Sequence, residues 1–189
     1  MASSVRNLSL FILGLLGIYS GPVSAQSSTE AVLCSEIQGE STVPGSAGCV
    51  DVLSWSWGTA VGFQFGTPPT IGQPNLQAFV FNKLVDSGSE DFLRLLVTGT
   101  PIKGTVTYQE FRPCGADCSV TEPFLRVSMR DVWVTSFSTS GSANGIPAES
   151  ITLEFAEISY CYRPVSKGDL GPEQCIAFDR RTNQTIPPF

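Results

Sequence analysis

The chain has 189 residues, 42% of them hydrophobic and 15% charged, with a formal net charge of −6 and a sequence pI near 4.6. That length and apolar content suit one globular domain with a sizeable core, and the acidic balance repels a phosphate backbone, which argues against nucleic acid as a partner. With no histidine anywhere in the chain, a Ser-His-Asp triad, a Cys-His nucleophile and an imidazole base are excluded.

Residues 1–25, MASSVRNLSLFILGLLGIYSGPVSA, set Arg6 ahead of an apolar run over 8–18 and close on Val23, Ser24 and Ala25. This is the layout of a secretory signal peptide cleaved after Ala25, and the apolar run falls short of the roughly 20 residues that cross a bilayer. The expectation is a mature domain over 26–189, secreted to the extracellular space or periplasm, with no membrane association after cleavage. All six cysteines (Cys34, Cys49, Cys114, Cys118, Cys161 and Cys175) lie beyond the cut. An even number in a chain sent to an oxidising compartment predicts disulfides. Zinc is the lesser reading, since Cys114 and Cys118 have no second pair at finger-like spacing and no histidine to complete a site.

The first strand signal ends near Cys34, a Gly/Pro/Ser loop covers 39–48, and the chain re-enters a strand at Val50. In VDVLSWSWGTAV, residues 50–61, alternation places Leu53, Trp55 and Trp57 on one strand face and Ser54 and Ser56 on the other. Such a ridge serves as core, as a contact between subunits or as a sugar-stacking platform. Core or interface burial is the expectation for Trp55, Trp57 and Trp133. The Gly- and Pro-rich stretch that follows reads as a loop, and LQAFVFNKL, residues 76–84, as a strand.

One segment reads as helix, over about residues 89–98 of SGSEDFLRLLVTG. Ser87 stands three residues before Glu90, Ser89 is placed to cap directly, and Gly99 supplies a left-handed stop. Glu90 and Asp91 suit the positive end of the helix dipole, and Phe92, Leu95 and Leu96 share a face fit to dock on a sheet. Strand signals resume through IKGTVTYQEF, EPFLRVSMRDVWVTSFS and ESITLEFAEISYCY. Leu125, Val127 and Met129 alternate with polar residues, as do Ile151, Leu153 and Phe155; the apolar phase then shifts to Ile158, Tyr160 and Tyr162, as a β-bulge produces. CIAFDRRTNQT adds a final short strand. Many strands and one helix predict a mainly β domain, closed or sandwiched.

No catalytic, cofactor or metal site emerges. Asp51, Asp86, Asp131, Glu154 and Glu157 are acid/base candidates by type alone, with nothing in their spacing to set two of them face to face. The glycines after Trp57 fit neither a phosphate loop nor a dinucleotide fingerprint. Asn183-Gln184-Thr185 is a sequon, which makes Asn183 a candidate N-glycosylation site in a eukaryotic host.

The blocks GES (39–41), VLSWSWG (52–58), FVFNKLVDSGSEDFLRLLVTGTPIKGTVTYQEFR (79–112), DVWVTSFSTSGS (131–142), PAESITLEFAEISYCYRP (147–164) and AFDRRTN (177–183), in that order, resemble the Hcp family. These are the haemolysin-coregulated proteins that form the tube of type VI secretion systems. The likeness spans residues 37–186. It implies a single small β-barrel with one flanking helix, no catalytic residues, hexameric rings that stack, effector partners carried in the ring lumen, and a long loop, placed here at 39–48, that reaches a neighbouring ring. A cleaved signal peptide and this cysteine content are departures from typical members.

Two roles are therefore expected in order: a secreted, non-enzymatic, ring-forming structural protein related to the type VI tube, or a monomeric secreted binding module that keeps the barrel. A hydrolase ranks below both, for want of a base. Six cysteines allow 15 pairings. The expected set is Cys34–Cys49 bracketing the 39–48 loop, Cys114–Cys118 across a hairpin tip, and Cys161–Cys175 stapling the C-terminal segment.

Overall fold

The computed structural model describes residues 30–112, 122–143, 145–166 and 169–189; the signal segment 1–25 and the cysteines Cys114 and Cys118 lie outside them. In chain order the first strands are β1 (Glu30–Cys34), β2 (Val50–Asp51), β3 (Ser54–Ser56), β4 (Thr59–Ala60), β5 (Phe63–Gln64), β6 (Thr70–Ile71), β7 (Asn75–Leu76) and β8 (Phe79–Leu84). The helix α1 (Ser89–Thr98) follows, then β9 (Ile102–Phe111), β10 (Leu125–Ser140), β11 (Ala148–Glu154) and β12 (Glu157–Tyr162). The chain ends through β13 (Val165–Ser166), β14 (Asp169–Leu170), β15 (Gln174–Asp179) and β16 (Gln184–Ile186).

β10 organises the fold because it belongs to two halves of one sheet. Leu125, Val127 and Met129 point into the core from its first half, and Val132 and Val134 from its second. The switch from odd to even positions is made by Asp131, whose φ of 51° marks an extra residue in the strand, at the register slip against β9 between Arg130 and Val132. Before the slip β10 pairs antiparallel with β9 and β12; beyond it, from Trp133, β10 pairs with β11. β12 continues to β15 and β16, β9 to β1 and β2, and β11 to β8 and β3.

The fold is mainly β with one helix, but the ladders do not close into a barrel. β2 and β3 are edge pieces of one stretch, separated at Val52 and Leu53. Val52 N–H donates to Ala31 O and Leu53 N–H to Asn82 O, both at 2.8 Å, so the chain steps from one half of the sheet to the other without a continuous ladder. The step leaves Val52 buried and turns Leu53 outward, out of the ridge that alternation predicts. The phase change after Phe155 is likewise a break rather than a bulge. β11 stops at Glu154, Ala156 N–H bonds Arg130 O at 3.1 Å, and β12 restarts on the other half.

Helix α1 buries Phe92 and Leu95 against β10. Its stop is Gly99 at φ 59°, the left-handed conformation that costs glycine least. Its start differs from the expected serine cap. Gly88 is the N-cap residue and no side chain caps it, because Ser89 Oγ is turned inward to Lys83 Nζ and Glu149 Oε2. Asp86 Oδ1 instead accepts from Gly88 N–H at 2.9 Å and holds the entry turn.

Candidate functional site

The segment that leaves the body of the protein is 59–76. Gly58 O accepts from Gln77 N–H at 2.9 Å, closing the base, and β4 pairs with β7 and β5 with β6 to form a two-stranded arm. Every residue from 59 to 75 is exposed. Composition predicts only a loop here, since scattered glycines and prolines hide the pairing; yet the arm carries Val61, Phe63, Phe65 and Ile71 in solvent, with Phe65 95% exposed. Phe63 and Phe65 meet edge to face at 4.7 Å between ring centres. An exposed apolar cluster of this kind is a candidate contact surface.

The 39–48 loop is a different object from the reaching loop the resemblance implies. Cys34 and Cys49 are bonded to each other across its base, with their Cα atoms 4.6 Å apart. Gly39 N–H bonds Gly48 O at 2.8 Å and Ser41 N–H bonds Cys49 O at 3.0 Å, while Ser41 and Ser46 are buried. The loop is folded onto the body. A Cβ at Gly39 would sit 2.5 Å from Cys49 O, so the fold requires glycine there.

At the foot of the arm lies an apolar groove of about 200 Å³ between Trp57, Pro74 and Leu76 on one side and Tyr160, Ile176 and Phe178 on the other. Trp57 stacks on Tyr160 at 6.3 Å, and its buried indole N–H has no partner. Trp55 faces the core, 4.9 Å from Tyr108 and 5.6 Å from Phe79 between ring centres. Tyr108 O–H donates to Glu110 at 3.0 Å, and burial together with that carboxylate raises the phenol well above its ordinary pKa. Trp133 is 42% exposed on the outer face of β10.

Of the five carboxylates that residue type alone offered for acid/base work, Asp131 and Glu154 line one cleft and Asp131 and Glu157 share Arg181, while Asp51 and Asp86 stand elsewhere. Asp86 bonds Lys83, Asp131 bonds Arg181, Glu154 bonds Arg180, Glu157 bonds Arg130 and Arg181, and Asp51 stands exposed on β2. Cys161 and Cys175 are bonded as direct cross-strand partners of β12 and β15. Asn183 occupies the turn between β15 and β16 at φ 57°. Sequence reasoning missed the arm's aromatic tip and a fully buried Lys83, whose ammonium donates to Glu149 Oε2 and Leu84 O at 2.8 Å and contacts Asp86 at the same distance. Among the described residues no helix is long and apolar enough to cross a membrane.

Known proteins share this architecture. A solved structure of a type six secretion system protein superposes with a TM-score of 0.75 at 20% identity, covering 84% of this chain and all of its own. Hcp1 from Salmonella typhimurium superposes at 0.65 with 21% identity, over 84% of this chain and 99% of its own. A type VI secretion system effector from Yersinia pestis superposes at 0.61 with 21% identity, over 79% and 98%. No curated protein matches the sequence. Residues 29–162, well over half of the chain, match the family described as type VI secretion system effector, Hcp, and the chain belongs to that family.

Proposed function

We propose that this chain is a secreted, non-enzymatic Hcp-like structural protein that assembles with copies of itself, most simply as a hexameric ring, and offers that assembly to a protein or effector partner. The observation that carries the reading is the arm. Four large apolar side chains held in water on a built hairpin are costly for a monomer and are covered when a neighbouring subunit packs on them. A contact between an arm and a different surface on the next copy is heterologous, the kind that generates closed rings when the rotation closes. Family membership supports the same reading, and so does the absence of histidine from a chain whose candidate carboxylates are largely occupied by lysine and arginine. Export rests on the signal-like segment 1–25, in keeping with a body stapled by two disulfides, one across the base of the 39–48 loop and one between β12 and β15.

The test is light scattering on the mature protein, residues 26–189, beside Phe65→Ser. The wild type is expected to run as a ring-sized particle and Phe65→Ser as a smaller species with an unchanged circular dichroism spectrum. A wild type that stays monomeric at about 50 μM, where contacts of even micromolar affinity are populated, overturns the ring and leaves the monomeric binding module.

A further inference from the structure

On the outer face of the sheet, away from the arm, an open cleft of about 550 Å³ runs beside Trp133. The volume is in the range of small-molecule sites, which combine apolar walls with a few convergent polar groups. Pro101, Trp133 and Phe155 make the apolar wall. Trp133 and Glu154 are directly opposed partners of β10 and β11, so the indole and the carboxylate stand side by side on one face. The positive φ of Asp131 swings a second carboxylate to the rim.

Each carboxylate at the cleft is held by an arginine, Glu154 by Arg180 and Asp131 by Arg181, which also holds Glu157 and Asp179. Arg180 Nη1 donates to Glu154 Oε2 at 2.5 Å and to Phe155 O at 3.0 Å, and Arg181 Nη1 donates to Asp131 Oδ2 at 2.7 Å. An anionic ligand would have to displace a carboxylate from arginine, and a cationic ligand would have to displace arginine from a carboxylate. A neutral ligand displaces neither. Arg181 has each of its three nitrogens on a carboxylate, but Arg180 uses only Nη1 and each carboxylate has about four lone-pair positions, so donors of Arg180 and acceptors of Glu154 and Asp131 remain free side by side. Hydroxyl groups, which donate and accept at once, match such a surface. A pyranose ring also has an apolar face of weakly positive C–H groups, which suits the negative π face of a half-exposed indole.

We infer that the cleft formed by Trp133, Glu154, Arg180 and Asp131 binds a neutral saccharide, stacked on Trp133 and held by its hydroxyls between the two arginine–carboxylate pairs. The cleft shares no lining residue with the arm, and light scattering on the same samples reads assembly separately.

The experiment titrates the mature protein with maltohexaose, cellohexaose and chitohexaose, followed by tryptophan fluorescence and calorimetry. At least one of the three is expected to bind and to change the emission. Trp133→Ala, at an exposed position that the core does not need, is expected to bind at least tenfold more weakly and to lose the emission change. Glu154→Gln, which keeps the shape and removes the charged acceptor, is expected to weaken binding severalfold. Affinity is expected to hold steady as NaCl rises from about 0.05 to 0.5 M, since a neutral ligand has no long-range attraction to screen. No binding of any of the three at about 10 mM, equal binding by Trp133→Ala, or tighter binding of an acidic oligogalacturonate than of the neutral sugars would each overturn the inference.

Discussion

Lys83 is the residue on which the helix and the sheet depend together. Its ammonium is fully buried and meets Glu149, Asp86 and a backbone carbonyl, while Ser89 Oγ donates to the same Glu149 oxygen and accepts from Asp86 N–H at 3.0 Å. A buried ion pair contributes little relative to an apolar replacement, but removing one partner leaves a charge with no water to solvate it, at a cost of about 3–5 kcal/mol. Because Asp86 still meets the ammonium, Glu149→Ala is expected to lower the urea unfolding free energy by no more than about 3 kcal/mol, the low end of that range. The double variant Lys83→Met with Glu149→Leu is expected to recover most of the loss, and equal destabilisation by both would refute this account. The burial of Lys83 was not legible in the sequence. Alternation points it inward with Phe79 and Phe81, but the anion that makes this tolerable is 66 residues away. Trp55 is half-buried beside Tyr108 and Phe79 on the face that alternation gives it, while Leu53 of the same ridge is turned outward by a break that alternation does not show.

At the scale of elements, what the sequence shows clearly is what local physics decides. Helix α1 lies at the expected residues because its apolar face and its Gly99 stop are read within one short window. The strand breaks were hidden, since a two-residue gap between β11 and β12 shifts the apolar phase much as a bulge does, and only the partners reveal which occurred. The arm was hidden because its strands are two residues long and bury nothing but Leu76 at its foot. The stapled hairpin of β12 and β15 carries a prediction of its own. Its bridge spans 14 residues of sequence, and tying a loop of that size restricts the unfolded chain by roughly 3 kcal/mol. Cys161→Ala with Cys175→Ala is expected to lower the unfolding free energy by about 2–4 kcal/mol, read by denaturant melts whose slope rises as the unfolded chain is released. A loss below about 0.5 kcal/mol would show that the hairpin holds without it.

For the whole molecule, β10 passes through both halves of the sheet, so neither half retains its ladder when the other opens, and unfolding is expected to be a single transition. Acid is the natural perturbation of a body so laced with carboxylates. Burial alone would push the Asp179 carboxyl up, but the Arg181 backbone N–H and guanidinium outweigh it and hold the group below its ordinary value. A carboxyl with a depressed folded-state pKa adds stability that is complete above its unfolded value near 4 and is lost as pH falls through the folded one. The melting temperature is expected to fall from about pH 4 downward, and Asp179→Asn to be less stable at neutral pH with a shallower acid limb; identical profiles would refute the role given to Asp179. The arm has a consequence of another kind. Its two ends meet at the bond between Gly58 and Gln77, its foot packs on the body through Pro74 and Leu76, and beyond them the cost of closing a longer or shorter excursion grows only slowly with length. The junction is thus a place where an excursion of different length or chemistry can be carried while the pairing of the sheet beneath stays the same.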